Sequence, residues 1–207
     1  MIFKFFANVD HLFFLNYINL LKNIYLKTLI KQYQPFFFFL GKFFFSYLVL
    51  TILYRLYLSG FVHQVDGFTR NVSCATEKIL LFFEQRVYIV EDAFNEQYQL
   101  YFEGEYIARI IEGCNSISVI VLFDAFVIAF STGFQQTFVF LLFGSVFIYV
   151  VNILRIALLV VLCSLYPQYE HFLHGVLFPV IIYGIVCLFW LYWIKKYAEY
   201  VSKFAST

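Results

Sequence analysis

The sequence predicts an all-α integral membrane protein with about four transmembrane helices, an N-terminal interfacial helix and a small extracytoplasmic lid. Only 13% of its 207 residues are charged and 63% are hydrophobic, whereas about 25% of the residues in soluble domains are charged. A soluble core of this size cannot bury 30 Phe and 17 Tyr, because much of a small domain stays in contact with water. An ordinary soluble protein is therefore excluded, and a net charge of +1 gives no reason to expect a nucleic-acid partner.

Four charge-poor runs are long enough to cross about 30 Å of hydrocarbon as helices. They cover residues 35–58, 113–131, 137–166 and 172–194. Lys42 and Arg55 lie near the ends of the first run, where long side chains reach the membrane interface. The last run ends in Trp190, Tyr192 and Trp193, an aromatic belt typical of that interface. The three later runs form the predicted core, residues 113–194.

Residues 1–34 are hydrophobic but contain too many Asn and Lys residues for a span, so we expect an interfacial amphipathic helix there. Basic residues precede the first span and follow the last one, in the tail 195–207. Because Lys and Arg are retained in the cytoplasm, both termini are predicted to be cytoplasmic. The acidic loop 59–112 then lies outside. The predicted location is the cell inner membrane.

The outer loop is long enough to fold into a lid. Residues 76–94 are predicted as an amphipathic helix capped by Ser73 or Thr76. Residues 98–111 favour a hairpin around Glu103-Gly104-Glu105, whose second strand leads into Glu112-Gly113-Cys114. A lid over the outer ends of the spans and a merely solvated connector remain alternatives.

Three side chains with complementary chemistry are expected at one level of the membrane. Cys114 opens the second span, and His171 and His174 open the fourth. Arg155 lies 18 residues, or about 27 Å, along the third, close to the outer boundary. In acyl transfer a thiol serves as nucleophile, an imidazole transfers the proton and a guanidinium holds the developing oxyanion.

The order of three short strings resembles the exosortase/archaeosortase family of membrane cysteine transpeptidases, most closely its short F-type exosortases of the Bacteroidetes group. The strings are Glu112-Gly113-Cys114-Asn115-Ser116, Asn152-Ile153-Leu154-Arg155 and His171-Phe172-Leu173-His174, and the resemblance covers residues 98–196. It implies cleavage of exported client proteins that carry a C-terminal motif, a hydrophobic helix and a basic tail. It also implies transfer of the acyl group or its release.

Site residues follow from the same resemblance. Cys114 is the implied nucleophile, Arg155 orients the carbonyl or holds the oxyanion, and His174, with His171 as the alternative, is the acid and base. Supporting roles fall to Asn115, Asn152 and Asp124. No cofactor or metal is expected. The family usually has Gly two positions after the Cys, where Ser116 stands here, and Ser resists backbone conformations that Gly allows.

Other interpretations stay open for each residue. Arg155 can neutralise Asp124 in a structural pair, Cys114 can form a disulfide with Cys74, and the two histidines with Cys114 or Glu170 can bind a metal. At the level of function, the alternatives are a non-enzymatic membrane subunit of a surface-export or assembly system and, more weakly, a transporter with Asp124 and Arg155 in a polar path.

Overall fold

The computed structural model describes residues 31–62, 64–83, 86–92, 94–131 and 133–205. By its internal contacts the chain divides into two units, residues 1–42 and residues 43–207. In the first unit the described residues form the start of helix α1 (Gln34–Leu58). The predicted interfacial helix at residues 1–34 lies almost entirely outside the described residues.

In the described part of the chain, three helical stretches are long and apolar enough to cross a membrane, and they indicate a membrane protein. They are α1, α4 (Phe134–Leu165) and the stretch Pro167–Ala198, most of which belongs to α5 (Phe178–Ala205). None of the residues of α1 is buried, so its apolar side chains need lipid as their solvent. Helix α4 ends before Pro167, as expected from the clash between a proline and a preceding helical residue.

The second predicted span is shorter in the structure than the sequence indicated. Its helix, α3, covers only Ile117–Ala129, 13 residues, or about 20 Å against the roughly 30 Å of a hydrocarbon core. It begins late because Ser116 has a positive φ of 64°, which no α-helix contains. Within the described residues, three helices rather than the expected four therefore reach spanning length.

The lid helix was also misplaced by the sequence pattern. Helix α2 covers Gly67–Phe82 instead of residues 76–94. Its N-cap is Asp66, whose carboxylate accepts the backbone N–H groups of Phe68 at 2.9 Å and Thr69 at 3.1 Å. A capping carboxylate satisfies N–H groups that have no partner inside the helix, so the helix starts here and not at Ser73 or Thr76.

The chain is mostly helical, as expected, but it also contains a three-stranded antiparallel sheet, of which the sequence predicted only one hairpin. Its strands β1 (Val87–Asp92), β2 (Gln97–Phe102) and β3 (Glu105–Ile110) lie in the order β1-β2-β3. The predicted hairpin is β2–β3, and Glu103 and Gly104 at its turn both have positive φ, 52° and 92°, as two-residue hairpin turns require. Strand β1 occupies residues that had been assigned to the lid helix.

The cap, defined as α2 with the three strands, packs against the C-terminal half of α4. Ile153, Ile156, Ala157 and Val160 of α4 form one buried cluster with residues of α2 and of all three strands. At 32 residues, α4 is about 48 Å long and so exceeds a hydrocarbon core by about 18 Å. The cap buries apolar side chains on this excess length that water would otherwise contact. A second cluster, centred on Phe123 and Trp193, joins α3, α4 and α5.

Gly144 allows α3 and α4 to pack closely, which gives a testable prediction. A Cβ atom at this position would come closer than 3.0 Å to the ring of Phe123, which is fully buried. Gly144→Ala should therefore destabilise the protein by about 1–3 kcal/mol, as overpacked cores do. Thermal unfolding in detergent micelles measures the effect. Gly184→Ala on α5 is the matched control, because nothing lies within 4 Å of its Cβ position, and an equal loss in both variants would contradict this packing.

Candidate active site around Cys114

The main-chain carbonyl of Cys114 is hydrogen-bonded to α4. It ends the short 3-10 helix Glu112–Cys114 directly after β3, and its side chain is half-buried. The Asn152 side chain donates a hydrogen bond of 2.7 Å from Nδ2 to the Cys114 carbonyl. Asn152 itself is almost fully buried. The amide therefore holds the main chain of Cys114 at the level of Asn152 on α4.

Arg155 shares this site with Cys114. It follows Asn152 by three residues on α4, so the two side chains project from neighbouring positions of one helix face. Its guanidinium lies close enough to the Cys114 side chain, and to Tyr183 of α5, for a charge on one group to act on the other. Within the described part of the chain, the buried Nε of Arg155 has no hydrogen-bond partner. The structure thus brings a thiol and a cation together, with a donor left unused.

Asn115 connects three helices beside the thiol. Its Nδ2 donates to the Tyr54 hydroxyl of α1 at 2.9 Å and to Thr69 Oγ1 of α2 at 3.1 Å. Its Oδ1 accepts the N–H of Ile117 at 3.0 Å, in the first turn of α3. Thr69 in turn donates its hydroxyl proton to Asp66. Asn115 is therefore a structural anchor, and its supporting role in the reaction stays a prediction.

Asp66, Thr69 and Tyr54 were missed by the sequence analysis. A local signal existed for the first two, because an Asp followed three residues later by a Thr at the start of an amphipathic run is a possible N-terminal capping pattern. Tyr54 lies 61 residues before Asn115 and carried no local signal. All three matter here because they fix the segment that follows Cys114.

Ser116 occupies a backbone conformation that favours glycine. Its φ and ψ are 64° and 0°, in the left-handed region, where a side chain costs about 1–2 kcal/mol. Its hydroxyl is buried and, among the described residues, has no hydrogen-bond partner. Its carbonyl accepts the N–H groups of Val119 and Ile120, both at 3.0 Å, so the strained residue starts helix α3.

Asp124 lies away from Cys114 and does not pair with Arg155. Its carboxylate accepts a hydrogen bond of 2.9 Å from the Ser145 hydroxyl. Ser145 precedes Arg155 by ten residues, about 15 Å along α4. The alternative in which Asp124 neutralises Arg155 is therefore not the arrangement in the structure, and Asp124 stabilises the packing of α3 against α4.

The two histidines lie on the connection between α4 and α5. His171 belongs to the helical turn Glu170–Phe172 and His174 to the π-helical turn Leu173–Leu177. Both are exposed, and neither has a hydrogen bond to any described residue. Leu173 between them is buried against Leu159 of α4, one helical turn past Arg155. Both histidines thus lie near the same end of α4 as Arg155. Neither is hydrogen-bonded to Cys114.

The remaining cysteine and metal alternatives can be compared with the structure directly. Cys74 is exposed, and both it and Cys114 are free thiols. Among the described residues, no group of three or more His, Cys, Asp or Glu side chains is arranged to hold a metal ion. The chemically reactive groups described at this site are the Cys114 thiol and the Arg155 guanidinium.

Comparisons with known proteins assign no family to this chain. No protein-family model, no curated protein and no solved structure matches this chain. A function for the site is therefore argued from its residues and their geometry.

The strain at Ser116 leads to a prediction about stability. Ser116→Gly relieves the left-handed conformation and removes a buried hydroxyl that lacks a partner, while the more flexible unfolded chain offsets part of the gain. We expect a net stabilisation of about 1 kcal/mol, measured by thermal unfolding in micelles. Ser118→Gly, inside α3, is the matched control and should lose about 0.5 kcal/mol. A destabilised Ser116→Gly variant would show that the hydroxyl contributes to folding.

The pairing of Cys114 with Arg155 predicts the reactivity of the thiol. Iodoacetamide reacts with a sulfur that carries negative charge, and a guanidinium beside that sulfur attracts this charge. In a variant whose other cysteines are replaced by Ser or Ala, Arg155→Gln should slow alkylation of Cys114 at neutral pH about fivefold, equivalent to a loss of roughly 1 kcal/mol of Coulombic attraction. Arg155→Lys should keep most of the rate.

A parallel variant that retains only Cys74 serves as the control. Cys74 is exposed on α2, and its alkylation rate should not respond to Arg155→Gln. If both cysteines slow equally, the substitution has perturbed the fold rather than the site. If neither slows, the two groups do not interact.

Proposed function

We propose that this protein is a membrane cysteine peptidase or transpeptidase of the exosortase type, which cleaves C-terminal sorting signals of exported proteins at the outer face of the inner membrane. The observation that carries this proposal is the placement of Arg155 near Cys114: the Asn152 side chain, three residues before Arg155 on α4, donates a hydrogen bond to the Cys114 carbonyl. A thiol beside a fixed guanidinium is suited to attack a carbonyl and to stabilise the charge that develops on its oxygen.

The proposed reaction proceeds through a thioester. His174 or His171 takes the proton of the Cys114 thiol. The thiolate forms a bond to the scissile carbonyl carbon, and the negative charge moves to the carbonyl oxygen, where Arg155 holds it. The carbon–nitrogen bond then breaks, and the leaving amine takes a proton from His174 or His171. An acceptor amine or water attacks the thioester, gives a proton to the same imidazole and releases the thiolate.

The length of α4 supports an outer position for this chemistry. From Phe134 to Asn152 the helix rises over 18 residues, or about 27 Å, close to the thickness of a hydrocarbon core. Cys114 then lies near one membrane boundary. The basic residues 195 and 196, at the far end of α5, favour the cytoplasm for the opposite boundary.

The proposal assigns a fourth crossing to the segment around α3. The helix itself is about 20 Å long, and the 3-10 turn before it lengthens the segment. Four crossings leave both termini in the cytoplasm. The client's hydrophobic helix would lie in the same bilayer and would bring the bond that precedes it to the level of Cys114.

Processing of clients in cells tests the proposal. In the source organism, the chain is replaced by its Cys114→Ala variant, and the C-termini of exported proteins are determined by mass spectrometry. We expect clients with a hydrophobic helix and basic tail to remain uncleaved, because the nucleophile is absent. Arg155→Gln should reduce the cleavage rate about 10²–10³-fold, as the loss of one oxyanion donor does. Cys74→Ala should process normally.

A second candidate function is a non-enzymatic subunit of a surface-export system. The observation that favours it is the exposure of both histidines and their lack of contact with Cys114 among the described residues. Normal processing by a Cys114→Ala variant expressed at wild-type level would overturn the enzymatic proposal and support this one.

A further inference from the structure

An amphipathic groove lies at the end of the bundle opposite Cys114. It has a volume of about 670 Å³ and runs between the first turns of α4 and the last membrane turns of α5. Gln135, Gln136 and Lys196 line one end, and Phe143 and Leu188 line the other. From Gln135 to Phe143 the groove follows eight residues of α4, about 12 Å.

The floor of the groove is a packed aromatic cluster. The ring of Phe140 stacks on Trp193 with centroids 4.5 Å apart and meets the edge of Phe189 at 6.1 Å. Trp193 is fully buried, and its Nε1 donates a hydrogen bond of 3.0 Å to the Phe130 carbonyl. The groove is therefore formed by side chains that are held in place without an occupant.

The charge of the groove is positive and lies at one end. Among the residues that the structure describes, Lys196 is the charged residue of the lining and none of the lining residues is acidic. The two glutamines add amide donors beside Lys196. Lys195 precedes Lys196 on α5 but does not line the groove. One end of the groove is thus complementary to an anion with several acceptor oxygens, and the rest is complementary to hydrocarbon.

The groove also lies far from the candidate active site. Gln135 precedes Asn152 by 17 residues, about 25 Å along α4. Its polar end is near the membrane boundary, since α4 begins at Phe134 and the aromatic residues 190, 192 and 193 of α5 lie at this level. A ligand here must have a headgroup at the interface and an apolar part that enters the bilayer.

We propose that the groove is a binding site for an anionic glycerophospholipid, with the phosphate at Lys196 and one acyl chain along the aromatic floor. The single change from polar to apolar lining fits an amphiphile with one headgroup, whereas a client helix or a second copy of this chain would present apolar side chains along the whole length. Basic pockets between membrane helices bind anionic headgroups in this way. The proposal is independent of the proposed enzymatic function.

Native mass spectrometry of the full chain in detergent tests the site. The protein is titrated with phosphatidylglycerol and, separately, with phosphatidylcholine of the same acyl chains. We expect the first phosphatidylglycerol to bind at least tenfold more tightly than phosphatidylcholine. Lys196→Gln should weaken phosphatidylglycerol binding about tenfold and leave phosphatidylcholine unchanged, because only the anionic headgroup loses its partner. Val139→Trp, which fills the apolar part, should weaken both lipids.

Lys195→Gln is the matched control, because it removes the same charge from the adjacent position outside the groove. An equal loss in Lys195→Gln and Lys196→Gln would mean that bulk surface charge attracts the lipid, which would overturn the proposal. Equal affinities for both lipids in the unmodified chain would overturn it as well. A dimer that Val139→Trp converts to a monomer would assign the groove to a second copy of this chain instead.

Discussion

The geometry of the candidate site depends on one hydrogen bond, from Asn152 on α4 to the carbonyl of Cys114. A hydrogen bond of this kind contributes only about 1 kcal/mol, but a buried amide or carbonyl left without a partner costs more. The contact is therefore strongly preferred once Asn152 is buried. Because Arg155 lies three residues further on the same helix, the bond also sets which part of α4 faces the thiol. A shift of α4 by one residue would move Asn152 and Arg155 away from Cys114 together.

One strained residue, Ser116, and two buried polar groups that lack a hydrogen-bond partner in the part of the chain that the structure describes lie near this hydrogen bond. Among the described residues, five buried side-chain atoms lack a hydrogen-bond partner, and two of them belong to Ser116 and Arg155. By contrast, Asn115 uses both amide protons and its carbonyl oxygen. The network around Asn115 is thus satisfied, whereas the groups nearest the thiol are not. Local violations of otherwise consistent packing are typical of functional sites, and this contrast directs attention to Cys114 independently of any resemblance.

Much of this arrangement could be predicted from sequence, and the failures have physical causes. The long apolar helices and the turn at Glu103-Gly104 follow from local composition, and helix rise alone predicted that Arg155 would lie near the level of Cys114. Strand β1 was predicted as helix because the spacing of its hydrophobic residues fits a helix as well as a strand. The pairing of Val87 with Phe102 of β2 makes this segment a strand. The contact of Asn115 with Thr69 joins residues 46 positions apart, which no local pattern encodes. The short α3 was missed because hydropathy does not report where a helix begins.

Ser116 stands where the exosortase family usually has glycine, and its left-handed conformation bears on this difference. Glycine two residues after the cysteine is the residue that a positive φ favours, and the chain here adopts φ 64° with a serine instead. The conformation is retained because anchors on both sides impose it: Asn152 holds Cys114, and Tyr54 and Thr69 hold Asn115. Replacing glycine by serine at such a position lowers stability but keeps the path of the main chain. The serine is therefore compatible with the backbone geometry that a glycine at this position would adopt.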